Sequence, residues 1–466
     1  MVNSMDNTLR DIAHFAANVT WADLRSDAVH AAKRSILDSL GCAISSLHEE
    51  PLMALQRIAQ RTSASTPATI FGTRIATSPD QAAFVNGSLI RYSDFSDDYF
   101  GRADSPARGD VGPHPSDCLG AVFAAAESRG ANGKSTILST VIAYETDGQF
   151  AERVILRSNG WDYTPLHAIA SAVATGRTLG LAEQQLTHAA GLAATANIAL
   201  GETRFGELSH WKSFAGPYAA RAGLLAAEMA GEGITGPEKP FEGRRGFMRQ
   251  LGTQFTLGPF GHGSEPFRIE GTYFKSLPLR YELQTPVELA LRIRNEIDLD
   301  QVRVIRVFMD KRSLSTRADD PSLWNPMTRE TADHSGPYLI GAALIDGRID
   351  HNTFTEQRFR DPHILSLVDR IEAMPDASLQ QDFPWRMICR LEIVFESGET
   401  RVFEHQNPKG HPQNPMTDIE IVDKFLGQTE GILSERRRRE VIDRIWHLDE
   451  AESVSDLLGL LCPGEA

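Results

Sequence analysis

Apolar residues recur every three or four positions through much of this chain. In "SDAVHAAKRSILDSLGCAISSL" they follow a Ser-Asp start, and "KSTILSTVIAYETDGQFAERVI" repeats the spacing, so both stretches predict amphipathic helices. "LAEQQLTHAAGLAATANIAL" and "GPYAARAGLLAAEMAGEGITGP" are helical in spacing but rich in Ala and Gly, which predicts helices packed at close range. "GEGITGPEKPFEGRRGF" breaks the pattern. From about residue 270 the period changes: "QVRVIRVFMD" alternates like a strand, and "RMICRLEIVFESGETRVFEHQ" reads as two strands joined at Ser-Gly. "TPVELALRIRNEI" and "DPHILSLVDRIEAM" read as helices between them, and the chain is helical again from "TDIEIVDKF" through "SVSDLLGLL". The expected fold is mainly α. A large all-helical domain is built from both chain ends (1–268 and 406–466), and a smaller α+β lid domain (269–405) is inserted into it. No internal repeat is visible.

With 466 residues the chain is too long for one ordinary core. Its formal charge of -15 argues against nucleic acid and anionic membrane as partners. "MVNSMDNTLRDIAHF" lacks a basic segment followed by an apolar one, so no signal peptide is expected. No apolar run approaches the roughly 20 residues that span a bilayer. The four cysteines (Cys42, Cys118, Cys389, Cys462) are scattered. That spacing suits a reducing cytoplasm and weighs against a thiolate metal site or iron–sulfur cluster held by this chain alone. "RRRR" at 436–439 reads as a solvated helix face. "ANGKST" lacks the first glycine of a phosphate loop, and a helix rather than a strand precedes it, so Gly133 is expected in a helix–helix turn.

Six stretches carry candidate chemistry. In "GPHPSDCLGAVFAAAES" a polar corner heads a bland helix; Ser116 or Asp117 can cap it, or the corner can aim His114 into a cleft. "RYSDFSDDYF" crowds Asp94, Asp97 and Asp98, carboxylates able to orient a nearby histidine or raise one another's pKa. "GELSHWKSFAGPYAARAG" places Lys212 at a helix start, where a cation is disfavoured unless an anion meets it. "IEGTYFKSLPLRYELQTP" holds Lys275, Arg280 and Tyr281, while "NPMTRETADHSGPYLIGAALIDG" holds Asp333, His334 and Tyr338 at the head of another bland helix. "NPKGHPQNPM" with Lys409 and His411 reads equally well as a solvent loop or a site loop.

Together with "NGSLIRYSDF", "NGWDYTPLHAIASAVATGRTLGL" and "GPEKPFEGRRGF", these motifs are in sequence order and cover nearly the whole chain. They resemble the MmgE/PrpD family, which includes 2-methylcitrate dehydratase and cis-aconitate decarboxylase. The resemblance implies a homodimer that works on a small di- or tricarboxylate with no metal or organic cofactor. It places catalytic residues at Asp94, His114, Lys212, Lys275 and Tyr338, and substrate contacts at Asp98, Ser116, Asp162, Tyr163, Arg280 and His334. The implied reaction is dehydration of a hydroxy tricarboxylate such as 2-methylcitrate or citrate. His114, oriented by Asp94, serves as acid or base, Lys212 and Lys275 hold carboxylates, and Tyr338 is a second proton carrier. The alternatives are cis-aconitate decarboxylation, epimerisation of an iminodisuccinate-like dicarboxylate, or carboxylate binding without turnover. Three departures from the family pattern bear on substrate choice: Tyr163 where a histidine is usual, Asp98 where a threonine is usual, and about five extra residues within "GRADSPARGDVG" (101–112).

Overall fold

The computed structural model describes residues 6–380 and 383–463, so the first five residues of the N-terminal stretch lie outside it. It is 54% helical with small sheets. The chain divides into two compact units. One comprises the chain up to Gly201, Ser213–Tyr273 and everything from Thr417; the other comprises Glu202–Lys212 and Phe274–Met416.

The first unit is a helical assembly. Helices Ser26–Ser45 and Gly133–Arg153 form where the apolar spacing places them, and Gly133 opens the second, behind an Asn132 side chain that accepts from the Ser135 N–H. The predicted close packing is seen at Gly223 of helix Trp211–Gly231, where a Cβ would run into the Ala168 carbonyl and the Ala172 nitrogen of Pro165–Thr178. Pro79–Arg91 and Leu119–Ser128 also pack closely, with Ala82, Ala83, Ala121, Ala124 and Ala125 forming a small-residue core with Ala220 and Leu224. At Gly120 a Cβ would run into the Gly87 backbone nitrogen and the Ala83 carbonyl, so this crossing requires glycine. The late helix Asp418–Gln428 packs on Ser26–Ser45, and the Lys424 ammonium meets Asp38 at 2.6 Å and the Phe95 carbonyl at 2.8 Å. In the Glu435–Trp446 helix, Arg436 and Arg439 pair with glutamates at exposed positions, as a solvated face requires. Arg437 and Arg438 instead donate to carbonyls of Gly459 and Leu426.

The second unit holds a four-stranded sheet in the order Ile371–Pro375, Val302–Met309, Ile388–Phe395, Thr400–Gln406. The first pair is parallel and the others antiparallel, with Phe308 opposite Arg390 and Leu391 opposite Phe403. Helices Gln284–Ile293 and Gly336–Asp346 pack over a core that includes Val287, Ile305, Tyr338, Leu339 and Leu391. "DPHILSLVDRIEAM" is only half helical: the helix ends at Val368, and Ile371–Pro375 becomes an edge strand. The open edge of Val302–Met309 offers carbonyls and N–H groups that outweigh local spacing, as in the bonds from Ile305 N to Arg370 O and Asp376 N to Met309 O.

Candidate functional site

The candidate residues lie in two buried polar clusters, one in each unit. In the first unit, Pro115–Cys118 forms a 3-10 turn directly before the Leu119–Ser128 helix. No side chain of the turn itself caps it; the carboxylate of Asp97 accepts the Ser116 N–H at 3.2 Å. Ser116 and Asp117 are therefore not the cap suggested by the sequence, and the anchor comes from the upstream acidic stretch. Asp97 also accepts from the Tyr144 hydroxyl at 2.7 Å. Burial pushes the Asp97 carboxyl up to about 7, despite the opposing bonds from Ser116 and Tyr144.

His114 is buried. Its Nδ1 stands 2.5 Å from the Asp97 carbonyl oxygen and 3.4 Å from the Asp98 carboxylate. A carbonyl only accepts, so Nδ1 carries a proton and Nε2 is the basic nitrogen of the neutral ring. The orienting contacts come from Asp97 and Asp98. Asp94, expected in that role, pairs with the buried Arg91 guanidinium at 2.6 Å. Asp94 sits at φ 51°, a left-handed conformation uncommon for a residue with a side chain. Burial alone would weaken the Arg91 charge, but Asp94, then Tyr163, Asp117 and Asp98, more than reverse this.

Tyr163 is buried with its ring centroid 5.9 Å from that of His114 and 5.4 Å from that of His167. Its N–H donates to the Asp162 carboxylate at 2.8 Å. His167, on the Pro165–Thr178 helix, lies 3.0 Å from Asp147 and 3.6 Å from Asp117. Burial would strip its proton, yet Asp147 and the hydrogen bond to it hold the imidazolium well above its ordinary pKa. Gly216 seals this pair, since a Cβ there would strike the Asp117 carboxylate and the His167 ring.

In the second unit, Lys212 lies in the first turn of helix Trp211–Gly231, with its ammonium 2.8 and 3.0 Å from the two oxygens of Asp333. Both are 0% exposed. The anion that the lysine's position called for is thus supplied by the chain itself. Asp333 also meets His334 Nδ1 at 2.5 Å and the Arg329 guanidinium at 3.4 Å, and its carbonyl accepts from the Arg280 N–H. The Arg280 side chain forks onto Glu282 at 2.8 and 3.0 Å. Lys275 is fully buried. Tyr338 does not join this cluster: it packs in the core, and its hydroxyl donates to the Thr353 carbonyl at 2.5 Å. Burial raises its pKa further from the range useful for proton transfer, so the expectation of a second proton carrier there is corrected to a packing role. His411 is likewise structural. The His411 side chain is buried, burial pushes the imidazole down to about 4, and Nε2 meets the Pro384 carbonyl.

The sequence reading missed Arg91, Tyr144, Asp147 and His167 as parts of the first cluster, and Asp333 as the partner of Lys212. A usable signal was present. "AYETDGQF" sets Glu145 and Asp147 in a helix otherwise buried all round, and a buried charge demands a partner.

Comparison with known proteins identifies the family of the chain. Residues 10–259 match the MmgE/PrpD N-terminal domain and residues 278–448 the MmgE/PrpD C-terminal domain. A cis-aconitate decarboxylase of Aspergillus terreus is 25% identical over 502 aligned positions, covering 99% of this chain and 97% of that protein. The 2-methylcitrate dehydratases of Cupriavidus necator and Escherichia coli (strain K12) are each 26% identical, covering 90% of this chain and 89% of their own length. Two family domains thus account for nearly all of the chain, which belongs to the MmgE/PrpD family.

Proposed function

We propose that this protein is a lyase that removes water from a small hydroxy tricarboxylate, of the 2-methylcitrate or citrate class, by side-chain acid–base chemistry. The observation that carries the reading is the fixed tautomer of His114, whose Nδ1 proton is committed to the Asp97 carbonyl so that Nε2 is basic. In this reading Nε2 takes the proton from the carbon beside a substrate carboxylate. Lys212, paired with Asp333, and the buried Lys275 stabilise the negative charge that builds on that carboxylate. The hydroxyl leaves as water with a proton from the Tyr163 phenol, and Arg91 stabilises the phenolate. Transfer of the proton from His114 back to Tyr163 resets the chain. The reading takes the working form to be a homodimer on family likeness.

A second reading is decarboxylation of cis-aconitate, favoured by the 99% coverage of this chain in its match to the fungal decarboxylase. Proton NMR in D2O with 2-methylcitrate, citrate, cis-aconitate and an iminodisuccinate-like dicarboxylate separates these readings. Loss of 2-methylcitrate with a new methyl signal from an unsaturated tricarboxylate supports the dehydratase. Itaconate and CO2 from cis-aconitate replace it with the decarboxylase, and deuterium uptake without loss of substrate points to an epimerase. Binding without turnover rejects all three.

A further inference from the structure

The loop 101–112 stands out in the sequence, and the structure gives it a definite set of attachments. Its ends are closed by the bond from Tyr99 N to the Pro113 carbonyl at 2.9 Å, directly before His114. Inside, successive turns run through Arg102–Ser105, Ser105–Arg108 and Ala107–Asp110, and the Ala107 N–H is tied to the Glu152 carbonyl at 2.9 Å. Arg108 and Gly109 take φ values of 46° and 65°, a left-handed pair that turns the chain just before Asp110. That strain is held in place by what Asp110 does next.

The Asp110 carboxylate is 7% exposed and accepts four hydrogen bonds from another segment. Oδ2 takes the N–H groups of Leu156 at 2.7 Å and Arg157 at 2.9 Å; Oδ1 takes the Ser158 N–H at 3.3 Å and its hydroxyl at 2.5 Å. These are the otherwise unmet donors at the start of the Arg157–Asn159 3-10 turn. That turn leads straight into Trp161, Asp162 and Tyr163. The far side of the strap is pinned by backbone, from Asp162 N to Ala199 O at 3.0 Å and from Gly201 N to Gly160 O at 2.9 Å.

One carboxylate thus joins two chain segments, a few residues before His114 in one and a few residues before Tyr163 in the other. The rings of those residues are 5.9 Å apart. We propose that Asp110 is a positioning residue that sets where the Tyr163 phenol stands relative to the His114 imidazole, and through that spacing which carboxylate substrate the first-unit cluster accepts. It makes the extra loop and the tyrosine at 163 one coupled feature. The selectivity part rests on the proposed lyase reading; the positional part does not.

The test compares the wild type with Asp110→Ala, Asp110→Asn and Ser158→Ala. All four carry 3-fluorotyrosine, with the Tyr163 resonance assigned by Tyr163→Phe. Asp110→Ala should speed amide exchange at Leu156–Ser158 at least about tenfold and move the fluorine resonance of Tyr163. Its kcat on the preferred substrate should fall on the order of 10²-fold with KM little changed, because misplacement rather than lost binding is at fault. Asp110→Asn keeps one acceptor oxygen and should recover much of each signal. Ser158→Ala removes only the hydroxyl bond and should shift the same resonance by less; it carries the test should Asp110→Ala fail to fold. An unmoved Tyr163 resonance in the folded variants overturns the assignment. So does a moved resonance with unchanged kcat and an unchanged ratio of kcat/KM for 2-methylcitrate and citrate. A wild type inert toward the whole panel sinks the lyase reading, while the resonance still decides the positional claim.

Discussion

The two clusters handle buried charge in opposite ways. In the first unit, Asp94, Asp97, Asp98, Asp117, Asp147 and Asp162 are all 2% exposed or less. Asp97 meets a backbone N–H and a phenol, Asp162 the Tyr163 N–H, and Asp147 the His167 imidazolium. Arg91, against Asp94, and the His167 imidazolium, against Asp147, are cations among them. In the second unit a single carboxylate, Asp333, gathers an ammonium, an imidazole and a guanidinium. A carboxylate bonded to neutral donors can hold or release its proton near neutrality, as Asp97 does. One ringed by cations stays ionised, so its work is to hold those cations in place. The first cluster is therefore suited to moving protons and the second to presenting positive charge.

That contrast is broken most severely at Lys212. Its removal takes the ammonium from the buried Asp333 carboxylate and leaves Arg329 and His334 against it, so Lys212→Ala should lower stability by up to about 3 kcal/mol as well as abolish turnover. Replacing the pair together, as Lys212→Met with Asp333→Leu, should restore part of the stability, since Arg329 and His334 lose their carboxylate, and none of the activity. Urea denaturation and the NMR assay read the two effects separately. Stability left intact in Lys212→Ala would mean the pair does not hold the fold. His114→Gln should act the other way, costing on the order of 10³-fold in turnover with the melting temperature nearly unchanged. A His114→Gln enzyme that keeps its activity removes this residue from the mechanism.

Asp97 sharpens the comparison through pH. Its native pKa, near 7, lies above the ordinary carboxylate value of about 3.9, so the folded chain binds more protons than the unfolded one between those limits. The contribution of Asp97 to stability is full below pH ~4 and declines as pH rises to about 7, with a slope of at most about 1.4 kcal/mol per unit. Asp97→Asn should flatten that part of the stability curve. A curve of unchanged slope in the variant would show that Asp97 is not the group that titrates.

Much of the fold was legible because its signals are local. The alternation in "QVRVIRVFMD" became the strand Val302–Met309, and the Ala-rich "GPYAARAGLLAAEMAG" became a helix that closely approaches Ala168 and Ala172 at Gly223. The partners in the clusters were not legible, because no local rule links them. Asp97 and Tyr144 are 47 positions apart, and Lys212 and Asp333 are 121 apart. The short strand Ile371–Pro375 was misread for the same reason, since its identity is set by an edge 66 residues upstream. Residue type narrowed the candidates to His114, Lys212 and Lys275, but it could not separate Tyr163, which stands against an imidazole, from Tyr338, which stands against a carbonyl.

The smallest effect is expected at that second tyrosine. Tyr338→Phe removes one hydroxyl from the second-unit core and leaves the Thr353 carbonyl without its donor, which should cost about 1–2 kcal/mol in stability. The ring, which does the packing, is retained. Turnover should stay within twofold of wild type or so, because a phenol bonded to a main-chain carbonyl and raised in pKa by burial holds its proton too tightly to donate it near neutral pH. Tyr163→Phe keeps its ring too but should lose most of the activity, since the proposed mechanism draws on the phenol proton. If Tyr338→Phe lost activity and Tyr163→Phe kept it, the two tyrosines would have to exchange roles, and the proton chemistry assigned to the first cluster would pass to the second.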